Sequence, residues 1–169
     1  QSDAVTAVSN KLKEDTLEHF DITREIDVIP NFIDFNRFNK KPREHFKQMI
    51  APNGEKIIIH TSNFRKVKRV EDVVAIFSRI IKEIPAKLLL IGDGPERSHI
   101  EKVCREHNTC DWVTFLGKQE AIEEILSIGD LFVLPSESES FGLAALEAMA
   151  CEVPVISSNA GGIPEVNIN

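Results

Sequence analysis

The chain has 169 residues, long enough for one full core and part of a second domain, with 20 Lys and Arg against 27 Asp and Glu for a net charge of −7. Its balance of apolar and charged residues excludes a disordered or fibrous protein. The acid excess excludes general attraction to DNA, RNA or an anionic membrane surface, so any phosphate site has to be local.

The first predicted element is the short apolar stretch Ser2 to Val8, followed by Ser9 and Asn10, which can cap a polar helical run from Lys11 to Phe20. Ile26 to Ile29 is a strand ended by Pro30, and Asn31-Phe32-Ile33-Asp34 turns the chain. Residues Phe35 to Glu55 form a charged, irregular surface connection with one helix predicted over about Pro42 to Ile50.

A strict alternation then begins. Ile57 to His60 is a buried strand, and Val70, Val73, Val74, Phe77, Ile80, Ile81 and Ile84 recur at helical spacing as one apolar face. Lys87 to Ile91 is the next strand, closed by Gly92-Asp93-Gly94-Pro95, with Pro95 in the first turn of a helix whose inner face is Ile100, Val103 and Cys104. Trp112 to Leu116, a helix around Ile122, Ile125 and Leu126, the strand Leu131 to Leu134, a helix from Leu143 to Met149 and the strand Val153 to Ser157 complete the series. Such a succession predicts an α/β fold with a doubly wound, Rossmann-like parallel sheet, whose ligands bind at the carboxyl ends of the strands.

Several loops gather on that edge. Ser136 to Gly142 leads directly into a helix of strong formers, whose first N–H groups and positive dipole end suit a phosphate, and Gly142 removes a Cβ that would hold the ligand off. Glu139 and Glu147 bracket that start and could accept hydrogen bonds from sugar diols; spacing alone favours a solvated loop acid and a surface helix residue. Ser62 to Arg69 carries Arg65, Lys66, Lys68 and Arg69, a cluster suited to a diphosphate, with a solvated loop as the alternative. Gly92-Asp93-Gly94 lacks the third glycine of a dinucleotide fingerprint and reads as a tight turn.

Glu139 and Glu147, with Ser140-Phe141-Gly142-Leu143-Ala144-Ala145-Leu146 between them, resemble the Glu-x7-Glu signature of the retaining GT-B glycosyltransferases of family four. The likeness runs from Val5 to Glu165. Ser62 to Arg69 is similar to the family's Gly-Arg-Leu-x-x-x-Lys-Gly pattern, with Asn63 at the usual arginine and Ser62 and Arg69 at the glycines. Gly161-Gly162-Ile163-Pro164-Glu165 resembles its closing Gly-Gly-x-Pro-Glu element.

The resemblance implies the C-terminal domain of a GT-B fold in an incomplete chain: residues 1–30 as the tail of an N-terminal acceptor domain, and 31–169 as a truncated nucleotide-sugar-binding domain. It implies catalytic roles for Lys68 at the leaving diphosphate and Glu139 at the transferred sugar. Donor contacts fall to Ser62, Asn63, Arg65, Gly92, Gly117, Lys118, Ser140, Phe141, Gly142, Leu143, Ala144 and Glu147, with Arg65 replacing the missing family arginine and Glu147 at the ribose. The variants at 29–34 and 63–69 resemble the branch that transfers N-acetylglucosamine from UDP-N-acetylglucosamine to L-malate in bacillithiol biosynthesis, with no cofactor and no required metal. Alternatives are a different acceptor, a GT-B sugar-nucleotide epimerase, or a fragment that binds the donor without turnover; a homo-oligomer is left open.

No apolar run approaches the ~18 residues of a membrane span. There is no basic-plus-apolar leader, and Gln1 in place of Met predicts a start further upstream. Cys104, Cys110 and Cys151 lack the spacing of a zinc site and read as free thiols of a cytoplasmic protein.

Overall fold

The computed structural model describes residues 3–168. Two parallel sheets carry the chain. The first pairs β1 (Val5–Ala7) with β2 (Ile26–Val28), joined by helix α1 (Asn10–His19). After α2 (Glu44–Ile50) come β3 (Lys56–Thr61), α3 (Val70–Ile80), β4 (Ala86–Ile91), α4 (Arg97–Glu106), β5 (Val113–Gly117), α5 (Ile122–Leu126), β6 (Leu131–Leu134), α6 (Leu143–Ala150) and β7 (Val155–Ser157). The second sheet has the order β5-β4-β3-β6-β7 with every pairing parallel, the doubly wound arrangement expected from the sequence.

Both faces of this sheet are covered, which is why its central strands β3, β4 and β6 carry the apolar runs Ile57–Ile59, Leu88–Ile91 and Leu131–Leu134. Ile57, Ile59, Leu89, Ile91, Phe132 and Leu134 face a core completed by Ile125, Leu126, Ala145, Ala148 and Cys151 of α5, α6 and the residue after it. Their neighbours Ile58, Leu88, Leu90 and Val133 face the opposite way, onto Val70, Val73, Val74 and Phe77 of α3 and Ile100, Val103 and Cys104 of α4. The period of two along each strand decides the layer.

Three expectations shift locally. Pro95 stands in the turn before α4, because Arg97 N–H first closes on Gly94 O at 3.1 Å. Ile84 falls beyond α3 and is 46 % exposed, since the chain turns toward β4 before another helical turn can carry it inward. The last strand begins at Val155, although Pro154 O already accepts from Phe132 N–H.

Candidate functional site

The connections leaving β3 run to one side of the sheet and those leaving β6 to the other, so the two loops diverge at the carboxyl end and leave a crevice at the switch point. The crevice measures about 390 Å³. Thr61, Ser62, Asn63 and Lys68 line it from β3 and its loop; Glu139, Ser140, Phe141 and Gly142 line it from the turn after β6, followed by Leu143 and Ala144 of α6. Asn31, from the segment after β2, closes one side.

The amino end of α6 opens into this space. Gly142 O accepts from both Ala145 N–H (2.9 Å) and Leu146 N–H (3.2 Å), whereas the amides of Leu143 and Ala144 have no acceptor among the described residues. They are the free donors that make a helix start an anion site. Gly142 has φ +93°, and a Cβ there would stand 3.3 Å from Ile163 Cγ1. The left-handed backbone therefore favours glycine, and its missing Cβ would point at Ile163 behind the turn, which corrects the expectation that it clears space on the ligand side.

The turn is braced from behind. Gly162 N–H donates to Glu139 O (2.8 Å), and Cβ atoms at Gly161 and Gly162 would meet the carbonyl oxygens of Glu139 and Ser140 at 2.0 and 2.4 Å. Ser9 Oγ donates to Ser140 O (2.6 Å), while buried Ser136 donates to Glu139 Oε1 (2.9 Å).

Across the crevice Lys68 Nζ meets the same Glu139 Oε1 at 2.6 Å, with the two side chains only 18 % and 15 % exposed. Glu137 N–H donates to Val67 O at 2.8 Å, clamping the loop to the turn. A lysine held this way presents a movable positive charge beside free helix amides, and the carboxylate that holds it is itself a strong acceptor for hydroxyl groups.

Of the residues expected at the site, Ser62, Asn63, Lys68, Glu139 and 140–144 come together in the crevice. Arg65 is exposed and lies outside its lining, as does Lys118. Arg69 turns away to Glu71, Asp72 and Glu137. Gly92 forms part of the support: a Cβ there would come within 1.9 Å of Ser62 O, and its N–H donates to Gly117 O at 2.7 Å. Glu147 is half-buried on α6 outside the lining; burial raises its pKa, the nearby Arg37 draws it down, and Glu123 adds to the rise. Thr61 lines the crevice as the first residue of the loop expected on that edge, at the carboxyl end of its strand, whereas Asn31 was not expected as a lining residue.

Among the described residues no group of three or more His, Cys, Asp and Glu stands close enough to share a metal ion, and no helix is long and apolar enough to cross a membrane. Cys104, Cys110 and Cys151 are free, and burial pushes the Cys104 thiol up to about 11.

The family profile for glycosyl transferases group 1 matches residues 41–169. The chain is 50% identical over 167 residues to N-acetyl-alpha-D-glucosaminyl L-malate synthase of Bacillus anthracis, covering 98% of this chain and 44% of that protein. It superposes on Anabaena HepE, solved in complex with UDP-glucose, with a TM-score of 0.91 at 20% identity, over 99% of this chain and 48% of the other. Sucrose-phosphate synthase from Thermosynechococcus elongatus gives a TM-score of 0.80 at 30% identity, over 98% of this chain and 44% of the other. The chain thus spans under half the length of each of these relatives. With the five-stranded parallel sheet and flanking helices of a GT-B C-terminal domain, and a profile match over most of its length, the chain belongs to the group 1 glycosyl transferases.

Proposed function

We propose that the chain is the donor-binding part of a retaining, family-four glycosyltransferase that moves N-acetylglucosamine from UDP-N-acetylglucosamine to L-malate, the bacillithiol-forming reaction. The observation that carries the donor reading is Lys68, set across the crevice from the free amides of α6 and paired with Glu139 at 2.6 Å. The choice of sugar and acceptor is supported by the 50% identity to the Bacillus anthracis synthase, and a UDP-linked donor by the UDP-glucose held in the Anabaena neighbour.

In this reading the diphosphate lies over Leu143 and Ala144 and draws Lys68 to itself, releasing Glu139 for the hydroxyls of the sugar. Lys68 and the helix amides then act where charge develops, on the departing UDP, as the C1–O bond breaks. The malate hydroxyl forms the new bond from the face UDP leaves, its proton passing to the departing phosphate oxygen. That retains the anomeric configuration without a covalent enzyme adduct. Glu147 accepts from the ribose hydroxyls. Residues 1–30 belong to the acceptor half, a division supported by their separate two-stranded sheet. The cytoplasmic setting is supported by three free thiols.

Product analysis on the full-length protein with UDP-N-acetylglucosamine, with and without L-malate, tests the assignment. We expect a malate glycoside only when malate is present, and a loss of about 10²-fold or more in kcat/KM for Lys68→Ala. An epimerised sugar nucleotide without acceptor, or full activity in Lys68→Ala, contradicts it.

A further inference from the structure

His60 is fully buried, next to last in β3, and the mechanism above makes no use of it. Its side chain lies on the α3 and α4 face with Ile58, where a hydrophobe would be the ordinary occupant. Both ring nitrogens are engaged: Nδ1 is 2.8 Å from Val133 O, and Nε2 is 2.9 Å from Ser62 Oγ. The carbonyl can only accept, so Nδ1 carries the hydrogen and Nε2 accepts the Ser62 hydroxyl. Ser62 Oγ can then accept Phe64 N–H, 3.3 Å away.

Two features give this chain of bonds a purpose. The ladder between β3 and β6 ends at Ile59↔Phe132, where the strands part to open the crevice, and the imidazole spans the gap to the next residue of β6. Phe64, at the other end, is a bulky residue held at φ +37° with its ring wholly buried, stacked on His60 at 6.5 Å between centroids and edge-on to Phe115. A non-glycine residue in that conformation persists only where its surroundings impose it. The cationic loop therefore leaves β3 through a constrained bend fixed by His60 and Ser62, and Lys68 follows four residues after Phe64.

We propose that His60 is a positioning residue of the donor site: its doubly hydrogen-bonded ring joins β3 to β6 beyond their ladder and, through Ser62, sets the bend that delivers Lys68 to the crevice. The inference rests on the donor reading given above. Burial holds the ring neutral, its pKa lowered to about 4; the Val133 carbonyl opposes that shift, Lys68 favours it and Glu139 opposes it. Those two side chains are the charged groups facing it from the loop and the turn.

The test combines nitrogen-15 NMR of histidine-labelled chain with calorimetric titration of UDP into wild type, His60→Phe, His60→Gln, Ser62→Ala and His60→Phe/Ser62→Ala. The expected ring is the neutral Nδ1–H tautomer, untitrated from pH 8 to pH 5.5. His60→Phe and Ser62→Ala should each weaken UDP binding about tenfold, the double variant no more than either single one, and His60→Gln, which keeps a donor and an acceptor, should recover part of the loss. An Nε2–H tautomer, a ring that titrates near pH 6.5, additive losses, or variants that lower Tm while leaving the UDP Kd unchanged would each overturn the positioning role. If wild type shows the Nδ1–H ring yet does not bind UDP, the donor reading fails and the positioning role with it, leaving the brace as a structural feature alone.

Discussion

Asp130, just before β6, and Glu147, within α6, show how differently two carboxylates are treated. Asp130 accepts Ile57 N–H at 2.9 Å and Lys47 Nζ at 3.0 Å. Burial opposes its ionisation, but the Ile57 amide and Lys47 outweigh it and lower its pKa. Asp130 therefore adds stability above its unfolded value of 3.8, and that stability is lost as pH falls through the folded value. Asp130→Asn should cost about 1–3 kcal/mol at pH 7 by denaturant titration, and progressively less as pH falls through the folded value. Glu147 has the opposite sign: its folded pKa is raised, so stability is fully present below 4.5 and declines as pH rises through the folded value. Glu147→Gln is permanently neutral and should raise Tm at pH 7 by about 2–4 °C. In the proposed reading it should also weaken UDP binding, because an amide offers the ribose hydroxyls one neutral acceptor oxygen where a carboxylate offers two charged ones. Opposite movement of Tm and affinity is the expected signature of a residue kept for its ligand.

Among the elements, α1 is tied to the donor turn through its own amino end. Ser9 Oγ accepts Leu12 N–H at 3.0 Å as the helix cap while donating to Ser140 O, and Glu165 accepts Asn10 and Lys11 N–H at 2.9 Å each. Burial works against ionised Glu165, yet the Lys11 and Asn10 amides lower its pKa, so its contribution is present above 4.5 and fades as pH falls through the folded value. Ser9→Ala should lower unfolding free energy by about 1 kcal/mol or more, with faster amide exchange across α1. The glycine at 92 is a harsher test. With φ +116° and a prospective Cβ 1.9 Å from Ser62 O, Gly92→Ala should cost more than about 2 kcal/mol and loosen the cationic loop.

The elements were legible in the sequence because apolar spacing differs between Ile57–Ile59, a strand buried on both faces, and Val70–Phe77, a one-sided helix. Which cations serve the crevice was not. Arg69 sits beside Lys68 in sequence but is captured by Glu137 of the other loop at 2.7 Å, a partner 68 residues away. Asn31 likewise reaches the crevice only through tertiary folding. His60 looked like one scattered histidine because its partners, Val133 O and Ser62 Oγ, are fixed by strand register and by a bend, neither of which leaves a local pattern.

For the whole molecule the net charge is −7, and in the proposed reading Lys68 and the α6 amides are what draw a diphosphate to the crevice. The chain spans under half of its relatives, so it is expected to bind UDP without forming the malate glycoside, an outcome read by titration beside a transfer assay. Because the site is made by a switch point between β3 and β6, it needs the sheet intact and should be lost with it in one unfolding transition. Crystals of the chain soaked with UDP-N-acetylglucosamine give the most direct view of that site. The account predicts diphosphate oxygens within hydrogen-bond distance of the Leu143 and Ala144 amides, Lys68 Nζ drawn from Glu139 onto the phosphate, and Glu139 on the sugar. A nucleotide bound elsewhere, or one beside α6 with the Lys68–Glu139 pair unbroken, would contradict it.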